Sequence, residues 1–230
     1  YAAQQPPTAK EIDVPEDEFS AMRAIRSLRN LTPEGVPHPT GSKENENVRA
    51  RLIRAFANLD ITVRSESEIT CNKLGRFGAF GGCAEVTNIV APIIGDISTS
   101  DQKAIVLMSH YASVGASPGA GDAGHGVAAI LEIARILKTE EAALAGGNPI
   151  IALLTDGEED GLLGAHAYFT NENQATQVGV VVNLEARGTS GPSLLFETSK
   201  APIEKAVGKS TKYFTLLCNF FTKTFHFFHF

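Results

Sequence analysis

The sequence has no run of 18 or more apolar residues, the length that a membrane-spanning helix needs, so it predicts no such helix within its 230 residues. It also has no stretch dense in lysine and arginine, and its formal net charge is −6 at pH 7. Without a basic patch to contact phosphates, we expect neither nucleic acid nor an anionic membrane surface as a partner. At 43% hydrophobic residues, the chain is long enough for one large α/β domain or two small ones.

Cysteine is scarce, with only three residues in the chain. Cys71 and Cys83 flank a glycine-rich loop and could close it as a disulfide in an oxidising compartment, which would leave Cys218 unpaired. The sequence leaves the reduced and oxidised alternatives open. It also starts at Tyr1 rather than at a methionine, so a targeting segment upstream of it would not be seen.

Hydrophobic periodicity divides the chain into a flexible lead-in at residues 1–12, an α/β domain at 13–200 and an atypical phenylalanine-rich tail at 201–230. The strands predicted in the domain are 61–70, 85–94, 103–109, 148–155 and 179–183, and the helices are near 19–31, 43–59, 127–137 and 161–170. Strands that alternate with helices are typical of a parallel sheet with right-handed crossovers. The tail shows no clean strand pattern and is either a misjoined or truncated end or a genuine aromatic element.

The most informative stretch is an apolar run followed directly by acids, IIALLTDGEED at 150–160. Its first five residues are typical of a strand that is buried on both faces. Asp156, Glu158, Glu159 and Asp160 then crowd four carboxylates at the end of that strand, where mutual repulsion and desolvation both oppose ionisation. A divalent cation would relieve this crowding. A solvated loop, or the acidic first turn of a helix, would give the same pattern.

Three predicted buried strands end in side chains that can bind metal. His110 follows the first strand, the acidic cluster follows the second, and Glu185 ends the third. Asp122 lies between the first two strands in a loop whose glycines let the backbone turn tightly toward the same edge. Because open α/β sheets place ligands at the carboxyl ends of their strands, we expect these groups to converge. Imidazole with carboxylates suits zinc, and a shared carboxylate can bridge two ions.

Three segments carry a family resemblance, namely SHYASVGASPGAGDAGHGVAAILEIARIL at 109–137, LLTDGEEDGLLGAHAYF at 153–169 and VVNLEARGTSGPSLLFET at 181–198. Together they closely resemble the zinc aminopeptidase family with a co-catalytic metal pair, and the most similar branch is the endoplasmic reticulum metallopeptidase type. The segments FSAMRAIRSLRNL and PHPTGS are also similar to that branch, so the likeness runs from Phe19 to Thr198. The resemblance implies a three-layer α/β/α sandwich with a mixed, mainly parallel central sheet.

The resemblance also implies the roles of individual residues. His110 is expected to bind one zinc ion, Asp122 to bridge two, and Glu159 and Glu185 to complete one ligand sphere each. Glu158 is expected to be the general base. The implied activity is that of a zinc-dependent metallopeptidase of the aminopeptidase type, which hydrolyses N-terminal peptide bonds through a metal-activated water.

The sequence departs from the family pattern at three ligand-related positions. Ala112 stands where the family has the acid that orients the metal-binding histidine, and Ala123 stands where a second aspartate usually follows the bridging one. The fifth ligand of the family, a histidine, lies well beyond the position of Glu185, and we do not expect His226 or His229 to replace it. The domain is therefore expected to be incomplete at its C-terminus. Since loss of an orienting partner typically weakens metal affinity or activity about 10–100-fold, we expect two zinc sites of which one is defective.

Other imidazoles and hydroxyls are not assigned to the chemistry. His38, His125 and His166 are expected to be capping, packing or surface residues. Ser113 and Ser190 do not lie in a nucleophile elbow, so no serine hydrolase role is expected.

Two alternatives to an active enzyme remain from the sequence. The chain could be a catalytically impaired or inactive peptidase-like interaction domain, or a truncated fragment of an active enzyme. The expected partner is a peptide substrate, with membrane contact only through segments outside this chain. The resemblance implies a location in the secretory pathway or the endoplasmic reticulum.

Overall fold

The central sheet has seven strands within residues 8–74, 80–186, 194–198 and 212–217, which are the residues that the computed structural model describes. The strands are β1 (Arg64–Leu74), β2 (Phe80–Ile94), β3 (Ala104–His110), β4 (Ile150–Thr155), β5 (Val178–Glu185), β6 (Leu194–Thr198) and β7 (Lys212–Leu217). Across the sheet their order is β1-β2-β4-β3-β5-β7-β6. Strands β4, β3, β5 and β7 run parallel, whereas the pairs β1–β2, β2–β4 and β7–β6 are antiparallel. The sheet is therefore mixed, with four of its seven strands parallel.

Helices cover both faces of this sheet. They are α1 (Ala21–Leu31), α2 (Lys43–Ala57), α3 (His125–Thr139), α4 (Glu141–Leu144), α5 (Leu163–Thr170) and α6 (Glu172–Ala175). On one face, Phe56 of α2 and Ile130 of α3 belong to the same core cluster as Leu154 of β4. On the other face, Tyr168 of α5 belongs to a cluster with Leu153. The predicted three-layer α/β/α sandwich is thus confirmed.

Strand β4 explains why its sequence is apolar without interruption. Successive side chains of a strand point to opposite faces, and here both faces carry helices. Ile151, Ala152, Leu153 and Leu154 are accordingly all fully buried. The strand ends at Thr155, and the acidic loop (residues 156–162) follows before α5 begins. A helix-covered strand therefore delivers the acids directly to the edge of the sheet.

The expectation that the tail has no strand is wrong. Strand β7 lies within the tail, and its backbone pairs in parallel with β5 from Val180 opposite Lys212 to Glu185 opposite Leu217. The run KYFTLL pairs with β5 on one side and β6 on the other, and the aromatic content around it obscured that run in the sequence. Cys218 and the rest of the tail lie outside the described residues.

Strands β1 and β2 form a long antiparallel hairpin at one edge of the sheet. Cys71 lies opposite Cys83 in its register, and the two are joined as a disulfide. Of the two redox alternatives, the structure has the oxidised one. Among the helices in the described part of the chain, none is long and apolar enough to cross a membrane.

Candidate metal centre

Four acidic side chains and one imidazole meet at the C-terminal edge of the parallel strands. His110 is the last residue of β3, and Glu185 is the last residue of β5. Glu158 and Glu159 lie in the acidic loop after β4, and Asp122 lies in the irregular turn that leads into α3. Because neighbouring parallel strands end at the same edge, residues that are far apart in the sequence become neighbours here. The structure thus brings together all five residues that the sequence singled out.

His110 lies at the centre of this cluster, and its side chain is only 1% exposed. Its Nε2 atom lies 3.0 Å from Oδ1 of Asp122, 3.5 Å from Oε1 of Glu185 and 3.8 Å from Oε2 of Glu158. Burial alone would lower the pKa of this imidazole, but the hydrogen bonds to Asp122 and Glu185 and the charge of Glu158 raise it well above its ordinary value. Nε2 therefore faces a negative potential that would also attract a metal cation.

A backbone carbonyl orients the His110 ring. Nδ1 of His110 lies 2.9 Å from the carbonyl oxygen of Ala112. A carbonyl oxygen can only accept a hydrogen bond, so Nδ1 is the donor, and in the neutral ring Nε2 keeps its lone pair for a metal. Ala112 stands where an acid was expected to orient this histidine. The carbonyl of Ala112 supplies the hydrogen bond without the negative charge, so the orientation of the ring does not depend on the missing acid.

Glu158 and Glu159 extend the cluster on the side of the acidic loop. Burial is the main cause that raises the pKa of Glu158 to about 7. The nearby charges of Glu185 and Glu159 raise it further, and His110 opposes the shift. Burial is also the main cause that raises the pKa of Glu159. Both carboxylates resist ionisation in the absence of a counter-charge. A bound dication would favour their ionised forms.

Asp122 reaches the cluster from an irregular turn, Ala120–Gly124. Its hydrogen bond with His110 is the main cause that lowers the pKa of Asp122. The Asp122–Ala123 peptide bond is cis. Ala123 itself is buried, and its carbonyl oxygen accepts a hydrogen bond from the hydroxyl of Ser109 at 3.2 Å. The turn is thereby attached to β3 next to His110.

Three further histidines contact other protein groups. His125 is fully buried at the start of α3, its Nδ1 lies 2.7 Å from the carbonyl oxygen of Gly121, and burial lowers its pKa to about 4. His38 is buried, and Nδ1 of His166 lies 3.2 Å from the hydroxyl of Thr70. Within the described residues, none of the three belongs to a group that could hold a metal ion.

A buried carboxylate fixes the start of the acidic loop. Asp156 is 1% exposed, and its Oδ1 accepts a hydrogen bond from Nδ2 of Asn45 at 3.0 Å. Its Oδ2 accepts one from the backbone N–H of Thr87 at 3.1 Å, and its own N–H donates to Oδ1 of Asn88 at 3.2 Å. Burial raises the pKa of Asp156, and the hydrogen bonds oppose that shift. Asp156 thus joins α2, β2 and the acidic loop at one point.

Sequence reasoning missed the two asparagines in this network, although both left a signal. Asn45 lies on the apolar stripe of α2 with Val48 and Leu52, and all three are buried. Asn88 interrupts the apolar end of β2 and is also buried. A polar side chain on a buried stripe needs a hydrogen-bond partner, so each asparagine indicated a polar neighbour in the core.

The donor set at this edge fits zinc. Two overlapping groups have ligand atoms that all lie within 4.8 Å of one another, namely His110 with Asp122 and Glu185, and His110 with Glu158 and Glu159. One imidazole nitrogen with carboxylate oxygens is a donor set that zinc takes in proteins. His226 and His229, which are not expected to replace the fifth ligand, lie outside the described residues.

Two relatives are 30% identical to this chain over their aligned residues. This chain is 30% identical over 189 residues to endoplasmic reticulum metallopeptidase 1 of Homo sapiens, and the alignment covers 79% of this chain and 21% of the relative. It is 30% identical over 203 residues to vacuolar membrane protease of Schizosaccharomyces pombe, which covers 85% of this chain and 23% of the relative. The chain therefore spans about a fifth of the length of these relatives.

Solved structures show the same fold at lower identity. A Zn-dependent exopeptidase from Parabacteroides distasonis superposes with a TM-score of 0.61 at 20% identity, over 82% of this chain and 70% of that one. A glutaminyl cyclase from Porphyromonas gingivalis superposes with a TM-score of 0.57 at 20% identity, over 73% and 59%. Residues 88–226 match the family model described as Peptidase family M28. The resemblance found in the sequence is thereby confirmed, and the chain belongs to peptidase family M28.

Proposed function

We propose that this chain is a zinc-dependent metallopeptidase of the aminopeptidase type. One observation carries the proposal: the Nε2 atom of a buried histidine lies within 3.8 Å of carboxylates from three separate segments, Asp122, Glu158 and Glu185. Such a concentration of acid around one imidazole is costly without a cation. Membership of family M28 makes zinc the cation of choice.

The ligand roles are those that the family resemblance implies, and the grouping of donor atoms supports them in part. His110, Asp122 and Glu185 form one group and would hold one zinc ion. Asp122 would also serve a second ion together with Glu159, which approaches His110 from the acidic loop. The side chain of Asp122 is 56% exposed, more than those of Glu158 and Glu185, so an ion on its outer side would have room. We expect the second ion to bind more weakly, since its sphere has fewer protein ligands among the described residues.

Glu158 is the group that would move the proton. Its Oε2 lies 3.8 Å from Nε2 of His110, so it borders the group formed by His110, Asp122 and Glu185. When bound, zinc lowers the pKa of a coordinated water toward about 7 and polarises a carbonyl oxygen. Glu158 would accept the proton of the attacking water at Oε2 and return it to the amine that leaves. Without a metal its pKa is raised to about 7, and a bound dication would favour the ionised carboxylate, which is the form that accepts the proton.

Two groups next to the cluster hold this arrangement in place. The carbonyl of Ala112 fixes the tautomer of His110, and Asp156 fixes the start of the loop that carries Glu158. No serine or cysteine is assigned as a nucleophile, since water can serve that purpose in metal-assisted hydrolysis.

The setting of the activity is proposed from the relatives. Their names place one in the endoplasmic reticulum and the other at the vacuolar membrane. The Cys71–Cys83 disulfide fits an oxidising compartment of the secretory pathway. Any membrane attachment would come from segments outside this chain.

The test is hydrolysis of an aminoacyl chromogenic substrate by the zinc-loaded chain, before and after a chelator and again after zinc is returned. We expect hydrolysis that the chelator abolishes and zinc restores. The same substrate with an acetylated amino group should be cleaved far more slowly if a free N-terminus is required. A chain that binds zinc and hydrolyses neither substrate would contradict the proposal in favour of an interaction domain or an incomplete enzyme.

A further inference from the structure

The acidic loop is attached to the β1–β2 hairpin at several points along its length. Asp156 receives its hydrogen bond from Thr87 at the start of the loop, and Nδ2 of Asn88 donates to the carbonyl oxygen of Gly164 just beyond its end at 2.8 Å. In between, Nδ2 of Asn72 donates to the carbonyl oxygen of Gly161 at 2.8 Å. This contact joins residues 89 positions apart in the sequence. Of these three contacts, the Asn72–Gly161 hydrogen bond lies nearest to the middle of the acidic loop.

Asn72 is separated from the backbone of Glu158 by only two hydrogen bonds. Its amide holds the carbonyl of Gly161, and the N–H of Gly161 donates to the carbonyl oxygen of Glu158 at 3.0 Å. The next residue, Leu162, donates to the same oxygen at 2.7 Å. Leu162 has φ +57°, a conformation that costs a non-glycine residue of order 1 kcal/mol or more and persists only where the surroundings impose it. The loop thus has a shape that its own backbone does not favour.

The partner of Asn72 in the hairpin register is Gly82, and the loop lies directly on this pair. A β-carbon at Gly82 would be 2.6 Å from the carbonyl oxygen of Asp160, so only glycine permits this approach. The neighbouring pair in the register is Cys71 opposite Cys83, which the disulfide closes covalently. The two strands cannot separate at this point, and Asn72 is therefore a fixed support.

We propose that Asn72 is a positioning residue that holds the acidic loop so that Glu158 borders the metal group at His110. The inference rests on the proposed function only through the role of Glu158. A displacement of about 1 Å at a reacting group can lower a rate about 100-fold. Asn72 touches neither substrate nor metal in this view and acts only through the loop.

The test uses three variants of the hairpin. Asn72→Ala removes the donor, and Asn72→Asp keeps the shape but presents an acceptor to an acceptor, since a carboxylate cannot donate to the Gly161 carbonyl. Thr70→Val is the matched control, because Thr70 lies on the same face of β1 and its hydroxyl contacts His166 of α5 instead of the loop. The rate of hydrogen exchange at the Gly161 and Leu162 amides measures how firmly the loop is held, and it does not require an active enzyme.

We expect faster exchange at both amides in the two Asn72 variants and exchange like that of the parent in Thr70→Val. With saturating zinc, kcat should fall about tenfold or more in the Asn72 variants, while KM and the unfolding temperature stay near the parent. Unchanged loop exchange would overturn the inference whatever the rates are. Faster exchange with an unchanged kcat in an active parent would also overturn it.

A parent that hydrolyses nothing would count against the proposed function alone. The exchange measurement would still decide whether Asn72 holds the loop. A fourth variant, Gly82→Ala, keeps the Asn72 amide but adds a β-carbon against the carbonyl oxygen of Asp160, so it should displace the same loop. Exchange at Leu162 like that of the parent in Gly82→Ala would contradict the support described for the Asn72–Gly82 pair.

Discussion

The Nε2 atom of His110 lies 3.0 Å from Oδ1 of Asp122, although His110 ends β3 and Asp122 belongs to the turn before α3. The contact exists because that turn folds back over the end of β3, where the Ser109 hydroxyl donates to the Ala123 carbonyl. One side of the Asp122 carboxylate therefore faces His110, and the side chain is 56% exposed. This placement is what a carboxylate that bridges two ions would need.

If Asp122 bridges two ions, Asp122→Asn should weaken both zinc-binding events, whereas Glu185→Gln should weaken one. Titration calorimetry with elemental analysis of the bound zinc would measure this. We expect two events of unequal affinity in the parent, the second weaker by about 10–100-fold. Asp60→Asn, a change of an exposed aspartate, is the control and should bind as the parent does. Tight uptake of two equivalent ions by the parent would contradict the expected defect.

The Asn45–Asp156 hydrogen bond should matter for stability. Asn45→Ala leaves a buried carboxylate with one donor fewer, and a hydrogen bond to a charged group contributes about 1.5–3 kcal/mol. We expect the free energy of unfolding in urea to fall by about that amount. Asn47→Ala is a matched control on the same helix, because the Asn47 amide contacts Glu44 rather than the core. Equal stability of the two variants would show that the buried bond contributes little.

The metal centre was more predictable than its supports, and the reason is physical. His110, Glu158 and Glu185 follow apolar runs, so a rule about the ends of parallel strands suffices to bring them together. Asn72 and Asn88 depend instead on the register of an antiparallel hairpin and on the path of one loop. Neither is encoded in a local pattern, because a one-residue slip in register would turn each side chain to the other face.

The β7 strand was missed for a related reason. Strand β7 is defined by backbone pairing with β5 and β6, which are distant in the sequence or in another register, and no local pattern encodes that pairing. The disulfide was predictable only in part. The spacing of Cys71 and Cys83 in the sequence permitted a bridge, but only the hairpin register, which places them opposite each other, brings them close enough to form it.

The first turn of α3 should tolerate no side chain at Gly126. A β-carbon there would lie 2.5 Å from Oγ of Ser109 and 2.8 Å from the carbonyl oxygen of Leu184, so helix and sheet would have to separate beside the metal group. Alanine favours a helix by about 1 kcal/mol over glycine, but overpacking costs about 1–3 kcal/mol. We expect a net loss of unfolding free energy for Gly126→Ala. Gly115→Ala, where the β-carbon meets open space, should show none. A Gly126→Ala protein more stable than the parent would argue against this close approach.

Glu158 and Glu159 should have separable roles despite their adjacency. Glu158→Gln keeps the shape of the side chain but cannot accept a proton, so turnover should fall at least about 100-fold while zinc content stays near the parent. Glu159→Gln removes a carboxylate that we assign to the second ion, so it should lose zinc and lose activity in proportion. The measurement is the rate with an aminoacyl chromogenic substrate beside the zinc content of each purified variant. Asp160→Asn, in the same loop but outside both metal groups, is the matched control and should change neither. The assignment fails if Glu158→Gln turns over like the parent, or if Glu158→Gln loses zinc while Glu159→Gln keeps it, because the proton acceptor and the ligand would then have to be exchanged.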